Sequence, residues 1–208
     1  TLATAAGVRA AFVPNDHFKS EKLTAYELGY RHQLSAAVSV DIAAFYNDYD
    51  YLSTTEADAD NVTLVNNGID PPHLFIPFRF TNNMQGTTEG VETAIDWIIN
   101  PDLKIAINYS YLHMSLRALD PTQKAAEKLA PTHQAGLTLF WNISANWTLD
   151  STMTYVDDLP ANTVDSYVRL DLNLSTQLSN KLRVNITGQN LTDSSHREFS
   201  NIDNINAA

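Results

Sequence analysis

Val168-Arg169-Leu170-Asp171-Leu172-Asn173-Leu174-Ser175 alternates an apolar with a polar side chain at every step. In a helix this spacing would scatter Val168, Leu170, Leu172 and Leu174 around the axis. In an extended strand, where successive side chains point to opposite faces, it gathers them on one side. A slip of one residue would carry Arg169 and Asp171 to the apolar side, so the register of such a strand is strongly specified. The stretch predicts an amphipathic β-strand, and the chain repeats its pattern.

Working outward, Leu182, Val184 and Ile186 oppose Arg183, Asn185 and Thr187, and Trp147, Leu149, Met153 and Tyr155 oppose Thr148, Asp150, Thr152 and Thr154. Leu137, Leu139 and Trp141 flank Thr138 and Phe140, and Leu103, Ile105, Ile107, Tyr109 and Tyr111 flank Lys104, Ala106, Asn108 and Ser110. Further upstream lie Val91, Thr93, Ile95 and Trp97 against Glu92, Ala94 and Asp96, then Val38, Val40, Ile42, Ala44 and Tyr46 against Ser39, Asp41, Ala43 and Asn47. Tyr26, Leu28 and Tyr30 against Glu27, Gly29 and Arg31 complete about eight strands, each near the roughly 9–11 residues that cross a bilayer at a tilt. Only residues 122–129 offer a competing helix, of two turns at most.

The connections alternate in length. Short turns fall at Leu34-Ser35, Asn100-Pro101-Asp102, Ser144-Ala145-Asn146 and Leu178-Ser179-Asn180. Long ones run over residues 51–75, 115–132 and 157–165, and another opens at Thr192. Short turns at one end and long loops at the other are the habit of outer-membrane barrels.

Composition excludes several classes. The 208 residues include no cysteine, so disulfides, thiolate metal sites and thiol nucleophiles are out of reach. With 13 Lys and Arg against 24 Asp and Glu the net charge is −11, the opposite of the basic footprint that a nucleic-acid binder needs. No apolar run approaches the roughly 18 residues of a membrane helix. Residue 1 is not methionine and no signal peptide stands at Thr1-Leu2-Ala3, so the chain is expected to be an internal piece or to have lost an N-terminal portion.

The polar face carries Glu27, Arg31, Asp41, Glu92, Asp96, Lys104, Asp150, Arg169, Asp171 and Arg183. Burying these in a dry core would cost several kcal/mol per unpaired ion. Two arrangements give them water. In one, a wide barrel turns them toward a wet lumen and its apolar side toward lipid, with Trp97, Trp141 and Trp147, all near short turns, forming an aromatic girdle. In the other, a soluble β-sandwich turns the apolar side inward and the charges outward. Periodicity alone is the same in both.

Val184-Asn185-Ile186-Thr187-Gly188-Gln189-Asn190-Leu191-Thr192-Asp193, with His196, Glu198 and Phe199 beyond it, resembles the GQNL-x-D-x-x-H-x-EF segment near the C-terminus of TonB-dependent outer-membrane receptors. Residues 20–31 (SEKLTAYELGYR) are similar to another strand of that family, and residues 44–50 (AFYNDYD) to its partner. Asn82-Asn83 with Gly90-Val91-Glu92, Tyr109-Ser110-Tyr111-Leu112, Ala130-Pro131-Thr132-His133-Gln134, Tyr155-Val156-Asp157-Asp158-Leu159 and Tyr167-Val168-Arg169-Leu170-Asp171 follow in the family's order. Each piece is short; their order over nearly the whole chain carries the resemblance.

The resemblance implies an all-β fold: an antiparallel transmembrane β-barrel portion, about eight meandering strands of a larger plugged barrel. On that basis residues 1–208 are one partial barrel domain, expected to lack the N-terminal plug, the earlier strands and the last strand. It implies active uptake of a scarce nutrient, foremost a ferric siderophore, across the outer membrane of a Gram-negative bacterium, with TonB engaged through the absent N-terminal part and outer-membrane lipid around the wall. Glu27, Arg31, Asp41, Glu92, Asp96, Arg169, Asp171 and Arg183 would face the lumen and plug. Tyr51, His73, Phe75, Phe78 and Arg79, in a long loop, are the expected substrate contacts. A passive porin-like barrel and a soluble β-rich binding module are the rival functions.

No catalytic constellation, resident cofactor or nucleic-acid partner is expected. His17, His32, His73, His113, His133 and His196 are scattered without metal-ligand spacing. Asp58 and Asp60 near Glu56 suggest a cation loop, but without the Gly and closing Glu of a calcium loop. Asn-x-Ser/Thr triplets such as Asn142-Ile143-Ser144 fall inside strands, where polar alternation generates them by chance.

Overall fold

A computed structural model describes residues 3–5, 7–160 and 164–193 of the chain; His196 and Glu198 lie outside the described residues. Among the described residues eleven strands form: β1 (Ala3–Ala5), β2 (Val8–Phe12), β3 (Lys22–Ser35), β4 (Val38–Ala57), β5 (Thr63–Val65), β6 (His73–Asn100), β7 (Leu103–Ala118), β8 (His133–Ser144), β9 (Trp147–Val156), β10 (Tyr167–Ser179) and β11 (Leu182–Gly188). The chain divides into two compact units. The larger comprises Ala25–Asn47, Thr88–Ser115 and Ala125–Ala208; the smaller comprises Thr1–Thr24, Asp48–Thr87 and Leu116–Lys124.

The larger unit is a meander in which β3, β4, β6, β7, β8, β9, β10 and β11 pair with their neighbours in that order. These are the eight strands expected from alternation. Because directly opposed residues of an antiparallel pair share a face, the register sorts the side chains. Ile186, Leu174, Leu149, Trp141 and Leu103 form one row across five strands. Leu170, Met153, Leu137 and Ile107 form another. The opposite face carries Asp171, Thr152, Thr138 and Ala106 in one row and Arg169, Thr154, Gly136 and Asn108 in the next.

No apolar interior accompanies this sorting. Among the described residues the only buried large apolar side chains are Leu116 and Val164, while Leu28 is 76% and Ile186 65% exposed. A sandwich packs one such face against a second sheet at about 10 Å; here the face is bare, and the sandwich reading fails. The unit is one layer of the antiparallel wall of a β-barrel. Its apolar face is banded. Trp97, Trp141 and Trp147 stand near the short turns, and Tyr109, Tyr111 and Tyr155 near the long connections. From Trp147 to Tyr155 along β9 is roughly 26 Å at about 3.3 Å per residue, or about 20 Å once tilted by about 40°, comparable with the roughly 25 Å height of a lipid-facing band.

The four short turns share one device. The side chains of Ser35, Asn100, Ser144 and Ser179 accept the amides of Ala37, Asp102, Asn146 and Lys181 at 3.1, 2.9, 3.4 and 3.4 Å. A short polar side chain bonded to the backbone two residues on mimics a tight turn. The first reversal is therefore at Ala36–Ala37 rather than at Leu34-Ser35, because Ser35 is the last strand residue and the turn's acceptor. Over residues 122–129 the expected short helix is a 3₁₀ segment, Pro121–Lys128, started by Asp120, whose carboxylate accepts the Thr122 amide at 2.9 Å.

In the smaller unit β2 runs parallel to β6, Val8–Phe12 beside Leu74–Phe78, with β1 added to β2. β5 lies antiparallel to the start of β6, Thr63–Val65 opposite His73–Phe75. These three short strands were not foreseen. None alternates over a useful length, and each exists by pairing with β6 or its neighbour.

Candidate functional site

Phe78, Phe80 and Asn82 occupy alternate positions of β6 and so share one face of it. The Phe80 ring stacks on Phe12, centroids 4.6 Å apart and planes 4° apart. Phe78 meets Phe12 edge-on at 6.5 Å, and Phe18 tilts against Phe80 at 6.3 Å. The stack is half open: Phe12, Phe18 and Phe80 are 44%, 45% and 48% exposed. Asn15 fastens the segment between Phe12 and Phe18, its Nδ2 donating to the Phe80 carbonyl at 2.9 Å.

Asn82 joins this stack to a basic group. Its Oδ1 accepts the Lys19 amide at 2.7 Å, and its Nδ2 donates to the carbonyls of Lys19 (3.0 Å) and Tyr51 (2.6 Å). Tyr51 has φ 58° inside β4, a left-handed backbone that costs a bulky residue about 1–2 kcal/mol. Its ring lies beneath two ammonium groups, Lys19 Nζ at 5.1 Å and Lys22 Nζ at 5.4 Å from the centroid. Such contacts are worth about 0.5–1 kcal/mol each at exposed sites.

Of the five expected substrate contacts, Tyr51 and Phe78 belong to this face. Arg79 does not. Its Nε donates to Asp58 Oδ2 at 2.7 Å and its Nη1 to the Pro14 carbonyl at 2.6 Å, clasping two segments to β6. That guanidinium, with the Asn61 amide, holds the Asp58 carboxyl below the usual carboxylate range. His73 is buried, its Nδ1 2.9 Å from the Pro71 carbonyl. Phe75 is half-buried, level with Arg9 on β2 and Thr63 on β5. The acidic loop is dispersed as well: Glu56 accepts both Asn83 Nδ2 bonds at 2.8 and 2.9 Å while Asp58 serves Arg79. Reading the sequence alone missed Lys19, Lys22, Phe12, Phe18 and Phe80. Phe80 was within reach, two residues beyond Phe78 at strand spacing; the others join only through Asn15 and Asn82.

In the larger unit the expected charged residues gather on one face. Arg31 pairs with Asp41, its Nε 2.7 Å from Oδ2. Lys104 Nζ lies 2.8 Å from Asp96 Oδ1, and Arg169 Nε 3.1 Å from both Asp171 oxygens. Arg183 donates to Gln177 at 3.2 Å. Glu27 lies two strand steps from Arg31 on the same face of β3. Glu92 joins Arg31, Asp41, Asn108 and Ser110 around an open cavity of about 480 Å³. Polar cross-strand bonds continue the pattern, Asn173 to Asp150 at 3.4 Å and Thr187 to Asn173 at 3.1 Å. These charges are exposed or half-exposed, and three ion pairs form among them, Arg31–Asp41, Lys104–Asp96 and Arg169–Asp171, each worth at most about 1 kcal/mol, which suits a wetted wall.

Residues 1–191 match the family model described as TonB dependent receptor-like, beta-barrel. A search of curated proteins matches none. Among solved structures, the siderophore receptor PirA from Acinetobacter baumannii aligns with TM-score 0.66 at 16% identity, over 88% of this chain and 29% of that one. A mutant of the ferric enterobactin receptor PfeA from Pseudomonas aeruginosa aligns with TM-score 0.64 at 19% identity, over 92% and 29%. The copper transporter OprC aligns with TM-score 0.60 at 14% identity, over 88% and 27%. The chain thus spans less than a third of each of these proteins, and at such identities the likeness is one of fold.

Proposed function

The chain belongs to the TonB-dependent receptor-like β-barrel family, and from that premise we propose that it is part of the barrel of an outer-membrane receptor for energised uptake of a ferric siderophore. The observation that carries the reading is the family match along residues 1–191, joined to a single-layer sheet whose bare apolar face opposes an exposed, charged polar one. In this reading the apolar rows meet lipid, and Glu27, Arg31, Asp41, Glu92, Asp96, Arg169, Asp171 and Arg183 line the lumen around the plug. Residues 1–208 are then one stretch of the barrel wall, and TonB acts through a plug encoded before them.

A receptor named for ferric enterobactin and siderophore receptors among the structural neighbours favour an iron chelate as cargo. The long connections contribute the first contacts. Tyr51 and Phe78 offer rings to it, while His73, Phe75 and Arg79 support the surface from below through the bonds and pairings described above. The proposed chemistry is binding and translocation rather than catalysis.

Uptake of radiolabelled ferric siderophores by iron-starved cells tests this. Accumulation should fall to background when the gene is deleted, and equally when the proton-motive force is collapsed. Gene-dependent uptake that persists in de-energised cells would make the barrel a passive pore. No gene-dependent uptake of any ferric chelate would sink the iron reading.

A further inference from the structure

We propose that Gln33 and Gln177 set the register of two hairpins, and with it the face that each of their strands gives to lipid. The inference concerns how the wall is assembled and is independent of the cargo proposed above.

The starting point is a conflict between turn and strand. β10 and β11 are joined by a two-residue turn at Asn180 and Lys181, closed by Ser179 opposite Leu182. Directly opposed residues share a face, so pairing continued without a break from that closure would set Gln177 opposite Val184 and Leu174 opposite Thr187. The apolar face of β10 would then lie on the polar face of β11. Instead Gln177 lies opposite Arg183 and Leu174 opposite Ile186. Leu178 is the extra residue that makes the difference, a bulge of one on β10. β8 and β9 repeat the arrangement: Ser144 closes on Trp147, Asn142 lies opposite Thr148, and Ile143 is the extra residue. In β3 and β4 the Arg31–Asp41 pair reports it, because both side chains stand on one face. Unbroken pairing from Ser35 and Val38 across the turn would part them.

A bulge interrupts the ladder and leaves backbone groups in need of other partners. Packing within the protein does not hold it, since Leu34 and Leu178 are each 60% exposed and Ile143 45%. The serine side chains hold the turns, and so favour the closure whose unbroken continuation is the wrong register. Glutamine supplies the remaining bonds. Gln177 Nε2 donates to the Ser179 carbonyl at 2.5 Å, spanning the bulge, and its Oε1 accepts Arg183 Nε from the opposite strand at 3.2 Å. In the unbroken register Gln177 and Arg183 would stand on opposite faces and that second bond would be lost. Gln33 Nε2 donates to the Ser35 carbonyl at 2.5 Å and to the Val38 carbonyl across the turn at 3.1 Å. Both hairpins read Gln-Leu-Ser before the turn, and in both one side chain ties bulge and turn together.

The placement of the two glutamines is the second ground. Among the described residues β3 pairs with β4 alone and β11 with β10 alone, whereas β8 and β9 are flanked on both sides. Neighbours fix the register of a flanked hairpin; an edge strand depends on its own turn until a further strand joins it. Asn142 holds the equivalent place in β8 and is one methylene shorter than glutamine. The longer side chain stands where no second neighbour helps.

Residues 1–208 contain no cysteine, so paired cysteines can report the register while the complete receptor refolds from urea into lipid vesicles, any cysteine elsewhere being replaced by serine. Ser175→Cys with Asn185→Cys, directly opposed in the structure, forms a disulfide in the bulged register. Thr176→Cys with Asn185→Cys can do so only in the unbroken one, where the two share a face. Samples are oxidised and quenched through refolding, and the ratio of the two cross-links is read. With Gln177 in place the first pair should dominate throughout. Q177L should raise the slipped share roughly fivefold at early times, about what one ordinary hydrogen bond is worth. Q177E keeps the acceptor for Arg183 but has no donor for the Ser179 carbonyl, and should raise it likewise.

Cross-links accumulate before the barrel closes, so a variant that never completes its fold still reports the register it took. An unchanged ratio in Q177L overturns the assignment even where folding slows, since glutamine would then stabilise the hairpin without choosing its register. A ratio raised in Q177L but not in Q177E gives the choice to the Arg183 bond and overturns the role of the bond across the bulge.

Discussion

At Gly90 a β-carbon would lie 2.3 Å from the Tyr111 carbonyl oxygen and 2.5 Å from the Phe45 ring. The first is backbone of a neighbouring strand and the second a ring laid across the glycine, so neither yields without moving the sheet. At Gly136 the added atom would meet the end of the Asn108 side chain at 2.6 Å, which has rotamers to spare. The same substitution should therefore cost differently on one wall. Gly90→Ala is expected to destabilise the complete receptor by about 1–3 kcal/mol, as overpacking does, and Gly136→Ala by less than about 1 kcal/mol. Urea unfolding in lipid vesicles measures both, and equal losses would contradict the close approach of Tyr111 and Phe45 to Gly90.

At the scale of the strand, the two faces of β8 differ by one residue. Leu139 lies in the middle of the apolar face, level with Ile105 and Ser151, and Thr138 beside it lies on the polar face, level with Ala106 and Thr152. If lipid covers the first face, Leu139→Arg costs about 2–4 kcal/mol, as a cation at the bilayer midplane does. Thr138→Arg enters a wetted wall and should fold normally. Heat-modifiable electrophoretic migration of the two variants reads the difference, and tolerance of L139R would remove lipid from that face.

The eight meandering strands were legible because a period of two is local information, carried by each strand alone. The same locality explains what was not legible. β4 and β6 run on to Ala57 and back to His73 through residues such as Pro77 and Asn82-Asn83 that break the alternation, because pairing partners sustain them there. β1, β2 and β5 are decided by the strand they join. Half of the candidate site was visible for a related reason. Tyr51 and Phe78 stand out in a stretch that reads as a long connection, although the structure places them in β4 and β6 rather than in a loop, whereas Lys19, Phe12 and Phe18 become neighbours of Phe80 only once Asn15 and Asn82 have tied distant segments to β6.

For the molecule as a whole, the edge at β3 is the informative feature. Every side chain of Lys22–Ser35 is exposed, and within the described residues β3 pairs with β4 alone. A long amphipathic edge is a template for another strand, and a barrel closes by filling it. In the complete receptor, hydrogen exchange across residues 22–35 should show every amide protected, including those that point away from β4. Alternate fast-exchanging amides would mean that the edge stays open and that the chain is no part of a closed barrel.

A soluble domain is held by what its apolar atoms do to one another. In this sheet they do little of that: Leu28, Ile186, Trp97 and Trp147 offer much of their surface outward and leave its fate to the surrounding medium. The solvent is in effect a further component of the fold, touching the apolar side of strand after strand in the meander. Exchanging one detergent for another of different chain length would then act like a mutation made at all of those positions at once, and the same sequence in water would have lost most of what its alternation was written to meet.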